Sequence, residues 1–470
     1  MVSAVAHTIA QNDAQAQPKT SAAGSPTTTV APLPTERFIP VTALALVDRL
    51  TVPSAWPNGD HEPARRFFRY LDFWRRQQHN RRLMSLLRAY EPFDPDSDLL
   101  ITRQYTPDEK KRLQKRAVSE IKRILERANY VAIDPKSVEV ILTKDSHYGL
   151  DLHVDMGVFE ECLLYYRGAS KKRDTRTNYR KFLRKEEFDV PIYRRLVLLF
   201  KLKPFPVRVK EVMAEKNITE KEAAKIVTRM RGSLPTEVKE DNIYIKLFKN
   251  IPRNDLEMVF PNTRVRFRLL DKIKLGLTGG GAVGMGLVGT AGKLAAGGLT
   301  VANPIALLGA VAGLGGIAFR QGVNFMNQKQ RYMVVMAQNL YFHAMADNRG
   351  VMIKLSERGA EEDVKEEILL YSVLAKERAK RSDLKLIDAV IENYLRTTFD
   401  IQVDFDLPDA LDRLIADGIV REDADGTLQT LPPIEAARHL DAKWDRYLDD
   451  LPDGATQEGL ELDAEEVPLL

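Results

Sequence analysis

Between Gly276 and Phe319 the chain reads GLTGGGAVGMGLVGTAGKLAAGGLTVANPIALLGAVAGLGGIAF, about one-third glycine with a single charge, Lys293. No other stretch limits the fold so strongly. In water each glycine in a helix costs ~1 kcal/mol relative to alanine. In hydrocarbon an unclosed segment has no other way than helix to satisfy its backbone hydrogen bonds.

A nucleotide loop is one reading of this stretch. Gly284 to Gly289 (GMGLVG) satisfies G-x-G-x-x-G, but a dinucleotide site also needs an acidic residue ~20 positions further on to hold the ribose. No Asp or Glu occurs between Lys272 and Ala346. A P-loop fits no better, because Lys293 is followed by Leu294 and Leu287 stands where the first glycine belongs.

A membrane hairpin is the stronger reading. Leu275 to Gly292 offers 18 uncharged residues and Pro304 to Phe319 another 16, against the ~20 that one span needs. Asn303 can cap a helix and Pro304 suits its first position, so the second span starts there. Gly276, Gly280 and Gly284 recur every fourth residue, as do Gly309 and Gly313, the small-xxx-small spacing that lets helices approach closely in lipid. Arg264, Arg266, Arg268, Lys272 and Lys274 precede the stretch, and Arg320, Lys329 and Arg331 follow it. Basic flanks on both ends place both ends on one cytoplasm-like side, with Lys293 snorkelling at the tip. The segments are at or below spanning length, so a glycine-rich pair buried in a soluble core stays open as the alternative.

Charge divides the chain unevenly. Met1 to Ala346 holds 55 Lys and Arg against 35 Asp and Glu, whereas Asp347 to Leu470 holds 15 against 31. The two parts therefore suit different electrostatic partners. One cysteine, Cys162, excludes a disulfide framework, and its apolar strand setting suggests an inert core thiol. Residues 1–35, rich in Ala, Thr, Gln, Ser and Pro, form a disordered leader with neither secretory nor transit-peptide character.

The remaining periodicities predict an α+β protein. A helical region over 36–149 contains a short helix in FIPVTALALVDRL and a long one starting near Pro63, with Phe67, Tyr70, Leu71 and Trp74 on one face. A further helix opens on a capping box at Thr106 and Glu109. A basic α+β domain spans 150–274: LDLHVDMGVFEECLLYYRG and IYRRLVLLFKLK are strands, with GASKKRDTRTNYRKFLRKEEFD as their connection. There too, ITEKEAAKIVTRM is a helix capped by Thr219, DNIYIKLFKNIP a strand and RNDLEMVFP a helical turn. The hairpin occupies 275–319. In 320–440, QRYMVVMAQNLYFHAMADN is a helix with His343 in its core face, RGVMIKL a strand and AEEDVKEEILLYSVLAKE a helix. Helix, helix and a hairpin turning at Asp425-Gly426 then give the order of a winged helix, and 441–470 is an acidic tail.

Tyr166 to Lys203 holds 13 basic and 4 acidic residues. Arg167, Lys171, Lys172, Arg173, Arg176 and Arg180 are its candidate contacts to anionic lipid or a phosphate-bearing ligand, beside the plainer reading of a solvated basic loop. Nucleic acid is not an expected partner of the winged-helix segment, whose second helix carries Asp409, Asp412 and Asp417 and would repel phosphate. The seven histidines show no metal spacing, no G-x-S-x-G occurs, and no cofactor is expected.

IYIKLFKNIPRNDLEMVFPNTRVRFRLLDKIKLG (Ile243 to Gly276), the glycine-rich stretch and AQNLYFHAMADNRGVMIKLSERGAEEDVKEEILLYSVLAK resemble the uncharacterised family that includes transmembrane protein 143. The resemblance runs from about Leu152 to Thr430. It implies a membrane protein with no established activity and supplies no catalytic residues.

The expected protein is thus a membrane-anchored scaffold or regulator in a bacterial or organellar inner membrane, with both termini on the cytoplasmic or matrix side. Its basic region faces lipid, its acidic domain takes a basic protein partner, and its glycine faces permit a homo-oligomer. An enzyme or binding protein for a phosphate-bearing ligand, a nucleotide or a phospholipid headgroup, is the alternative.

Overall fold

Helix starts follow the local chemistry. Thr42 accepts from the Ala45 N–H to open α1 (Ala43–Leu50). α2 (His61–Tyr90) carries Pro63 in its first turn, where a missing N–H costs nothing, and buries Phe67, Leu71 and Trp74 while Tyr70 lies at the margin. Thr106 and Glu109 form the expected capping box of α3 (Pro107–Arg127). These belong to a computed structural model that describes residues 35–56, 59–98, 100, 104–134, 151–178, 184–232, 234–253, 256, 259–261, 264–266, 334 and 340–449. The hairpin expected over 275–319, with Gly276, Gly280, Gly284, Gly309, Gly313, Asn303 and Pro304, lies outside the described residues, as do Arg180, most of the leader and most of the tail.

The sheet joins β1 (Val131–Ala132), β3 (Phe159–Asn178), β4 (Arg184–Leu202), β5 (Ile243–Pro252) and β7 (Ala344–Asp347) in the order β1-β3-β4-β5-β7, with every neighbouring pair antiparallel. β2 (Asp151–His153) pairs separately with β6 (Arg264–Arg266). Two helices, α4 (Phe205–Lys216) and α5 (Glu220–Arg231), link β4 to β5, and α5 opens on the expected Thr219–Glu222 capping box. The chain is therefore α+β with antiparallel sheets.

Alternation along β4 and β5 gives the sheet two apolar faces. Val197, Leu199, Ile243, Ile245 and Leu247 point to one, where α2, α3 and α6 (Asn348–Leu374) cover them. Leu196, Leu198, Phe200, Tyr244 and Phe248 point to the other, where Val259 and Phe260 pack.

Three expectations are corrected. The stretch from Gly168 to Asp189 is not a connection: β3 and β4 run through it, pairing from Ala169 with Tyr193 to Asn178 with Arg184. The register sets Arg173 opposite Asp189 and Arg176 opposite Glu186, cross-strand positions at which opposite charges favour pairing. RGVMIKL is not a strand but part of α6, where Val351, Met352 and Leu355 supply helical rather than alternate spacing. The helix expected up to Asn348 gives way at Ala344 to β7, which pairs with β5. Consequently His343 is not a core residue; its Nδ1 lies 2.6 Å from the Lys249 carbonyl at the partly open end of that pairing.

α6 unites the fold. Its 27 residues span ~40 Å at 1.5 Å each. Val351, Met352 and Leu355 belong to the sheet core, while Ile368, Leu369, Leu370 and Tyr371 belong to a second core with α1 and the first half of α2. That second core also takes in β8 (Ala379–Lys380), α7 (Leu384–Phe399), α8 (Leu407–Ala416), a hairpin of β9 (Val420–Glu422) and β10 (Thr427–Thr430), and α9 (Pro433–Asp445). The strand order β8-β10-β9 after helix, strand, helix and helix is that of a winged helix. Gly418 at φ +74° closes α8 and Gly426 at φ +77° turns the wing, both conformations that glycine adopts at no steric cost.

Candidate binding cleft and its buried charge network

Between its two apolar halves α6 carries the run EEDVKEE, Glu361 to Glu367. In isolation such a turn would face water. Here α1, α2 and α8 close around it, and Glu362, Asp363, Lys365, Glu366 and Glu367 are all buried. Buried charges persist only when paired and hydrogen-bonded, and each of these has partners.

Arg75 of α2 grips Glu367 through Nε–Oε1 at 2.7 Å and Nη2–Oε2 at 2.8 Å. Its Nη2 also lies 2.5 Å from Asp417 Oδ2. Arg413 of α8 reaches three carboxylates: Glu367 at 2.8 Å, Glu366 at 2.6 Å and Asp363 at 3.3 Å. His79 Nε2 stands 2.8 Å from Asp363, and Arg127 of α3 lies 3.5 Å from the same oxygen. Asp417 is tied further by Trp74 Nε1–H at 3.0 Å and Lys443 at 2.7 Å. On the other side of α6, Glu362 accepts from the Ile39 N–H at 3.1 Å and meets Lys365 at 2.8 Å and Arg167 at 3.3 Å.

Four carboxylates, Asp363, Glu366, Glu367 and Asp417, share Arg75 and Arg413, and proton affinities divide accordingly. Burial opposes ionisation of Asp363, but Arg413, His79 and Arg127 outweigh it and hold that carboxyl well below the usual range. Burial raises Glu366 to about 8, with Arg413 opposing and Asp363 adding to the rise. One carboxyl of the group thus keeps its proton near neutrality. Burial likewise lowers His79, against the pull of Asp363.

The network opens on one side into a cleft of about 580 Å³, within the range of small-molecule sites. His79 and Ser356 lie at its floor. α2 and α3 line it with Arg82, Arg123 and Arg127 together with Glu120 and Glu126, and Arg37 joins Asp404, Asp406 and Asp409 from the loop before α8 and its first turn. Burial, followed by the charge of Arg127, pushes Arg82 down to about 10. Opposite, burial raises Asp406, with Asp409 adding to it. Ser356 gives its hydroxyl proton to the His79 carbonyl at 3.3 Å, so this serine and histidine do not form a nucleophile–base pair. Among the described residues no group of His, Cys, Asp or Glu is placed to hold a metal. Cys162, on β3, is pushed up to about 12 by burial and stays a thiol.

Among the basic residues singled out in sequence, Arg167 is set apart from the others. Arg167 turns inward to Glu362 and to the Ala128 carbonyl at 3.1 Å, with its guanidinium 4.2 Å from the Phe38 ring centroid. Lys171, Lys172, Arg173 and Arg176 lie along the extended arm of β3. Neither the α6 network nor the cleft was singled out in sequence. The available signal was a carboxylate-rich turn flanked by apolar runs on the same helix, VMIKL before it and ILLYSVL after it.

A family model described as "Protein of unknown function (DUF3754)" matches residues 159–350, from the start of β3 to the first turn of α6. No curated protein and no solved structure matches the chain.

Proposed function

We propose that this chain is a membrane-anchored scaffold, held by the 275–319 hairpin and presenting the α6-centred body to one side of the bilayer. One observation carries the reading. Phe260, before the glycine-rich stretch, and Leu340, after it, pack on the same apolar cluster of the sheet. An excursion that leaves and returns on one face of the sheet is what a two-helix hairpin requires. Beside Leu340, Tyr341 and Phe342 are 78 % and 68 % exposed and meet edge to face with centroids 5.2 Å apart. Exposed aromatics at the foot of an apolar segment suit the interfacial belt of a membrane. Among the described residues no helix is long and apolar enough to cross a membrane, so the anchor rests on the glycine-rich stretch itself.

On this reading both termini share the cytoplasmic or matrix side. The arm of β3 and β4 supplies a basic surface for anionic lipid, and the acidic winged-helix segment receives a basic protein. Self-association would run through the faces of Gly276, Gly280 and Gly284 and of Gly309 and Gly313. Alkaline carbonate extraction tests the anchor: the full chain stays in the membrane pellet and a version lacking Gly276 to Phe319 is released. Release of both sinks it and returns the glycines to a soluble core.

A further inference from the structure

We propose that the end of the sheet around Arg195 and Lys249 binds a phosphate group. The inference does not depend on the membrane reading. The register sets Arg167 of β3 opposite Arg195 of β4, and Arg195 opposite Lys249 of β5, so three cations stand in one row across adjoining strands. Directly opposite side chains lie ~5 Å apart at Cβ, and like charges placed so are destabilising. Such a row calls for an anion.

The carboxylates nearby answer only part of it. Arg167 turns to Glu362, which Lys365 also holds. Glu36 faces Arg194 at 3.8 Å, and Glu361 is taken by Arg358. Among the described residues neither Arg195 nor Lys249 has an ion pair; the half-buried Arg195 guanidinium gives an N–H to the Arg194 carbonyl at 2.8 Å. Burial depresses its proton affinity, and Arg167, Arg358 and Arg194 add to that against the Tyr130 phenol. Lys249 is exposed and leaves the row open to solvent.

The backbone ends the face at this row. Gly168 at φ +73° and Asn250 at φ +52° follow it on β3 and β5, and beyond them Tyr193 and Ile251 belong to the opposite face. Irregularities of this kind in a strand re-aim side chains and recur beside functional sites. Phosphate suits the row better than carboxylate. A guanidinium fork takes two phosphate oxygens and an ammonium can take a third, whereas a carboxylate has only two.

Soluble phosphate monoesters and anionic lipid headgroups share this chemistry, and the test separates them. Inorganic phosphate, acetate, glycerol 3-phosphate and dihexanoyl phosphatidic acid are titrated by calorimetry into the purified full-length chain in an uncharged detergent. Phosphate should bind saturably and more tightly than acetate. Arg195→Gln and Lys249→Gln should each weaken phosphate by about tenfold, the loss of one charge-assisted contact. Lys221→Gln, at an exposed position on α5, should leave binding unchanged. Phosphate should also raise the melting temperature of the parent more than that of Lys249→Gln. Should Arg195→Gln fail to fold, the exposed Lys249 still decides. Tighter binding of dihexanoyl phosphatidic acid than of glycerol 3-phosphate assigns a lipid headgroup; equal affinity assigns a soluble ester. The proposal is overturned by absence of saturable phosphate binding, by equal affinity for acetate, or by binding indifferent to Lys249→Gln.

Discussion

Arg75 and Glu367 stand 292 positions apart in sequence and meet as a two-point ion pair, 2.7 and 2.8 Å, with side chains 2 % exposed or less. The pair locks α2 to α6 at the point where α8 also arrives through Arg413. A buried pair of this kind adds little net stability over apolar packing, but removing one partner leaves the other charged in a dry interior. It acts as a latch on the arrangement of the helices.

Glu367→Ala should therefore cost about 3–5 kcal/mol, because it strips both Arg75 and Arg413 of a carboxylate. Urea unfolding of the full chain measures it. A loss below ~1 kcal/mol would show that water reaches the site and that the latch is not closed in solution. In a double-mutant cycle Arg75→Ala and Glu367→Ala should be less than additive, since they share one contact.

Stability should also respond to pH between about 6.5 and 8. Glu366 keeps its proton in the folded protein up to about 8, above its ordinary 4.5. Its contribution is present at low pH and is lost as pH rises towards 8. His79, lowered from 6.5, works the other way, and its contribution is lost as pH falls below 6.5. Above 6.5 the His79 effect fades while that of Glu366 continues, and Glu367, which burial also raises, acts in the same sense, so denaturation midpoints should fall towards pH 8. Glu366→Gln, which imitates the protonated carboxyl, should flatten that fall. Identical slopes in both proteins would refute the assignment.

Two glycines of α6 should respond oppositely to alanine. At Gly359 a Cβ would lie 3.0 Å from His79 Cε1, so Gly359→Ala crowds a buried ring already held by Asp363 and should destabilise. At Gly350 the nearest neighbour is the Ala346 Cβ at 3.6 Å, an ordinary contact. There Gly350→Ala should stabilise by up to ~1 kcal/mol through helix propensity. Thermal midpoints of the two variants, compared with the parent, decide it.

Thr106→Ala should cost about 1 kcal/mol by removing the oxygen that accepts the Glu109 N–H at 3.3 Å. Hydrogen exchange should show the first turn of α3 opening faster, with the rest of the helix protected. Equal acceleration along the whole helix would mean that tertiary packing, rather than the cap, holds that turn.

Much of the local structure was written in the sequence. The capping boxes at Thr106 and Thr219, the apolar face of α2, the strand β5 and the helix–helix–hairpin order after α6 all follow from neighbours within a few residues. Local chemistry suffices where one turn or one alternation decides the outcome. It failed at Gly168 to Asp189, where a charged stretch extends into paired strands whose register sets Arg173 opposite Asp189 and Arg176 opposite Glu186. It failed again at Val351 to Leu355, an apolar run too short to tell strand from helix.

The charge network and the cleft were beyond its reach. EEDVKEE has one appearance in sequence whether it faces water or the core. Only the convergence of α2, α3 and α8 on α6 supplies Arg75, His79, Arg127 and Arg413, and such partners make burial of the carboxylates tolerable. The sequence by itself determined most of the helices, strands and turns; the tertiary structure decided which charges are interior, because that depends on partners from 46 to 292 positions away.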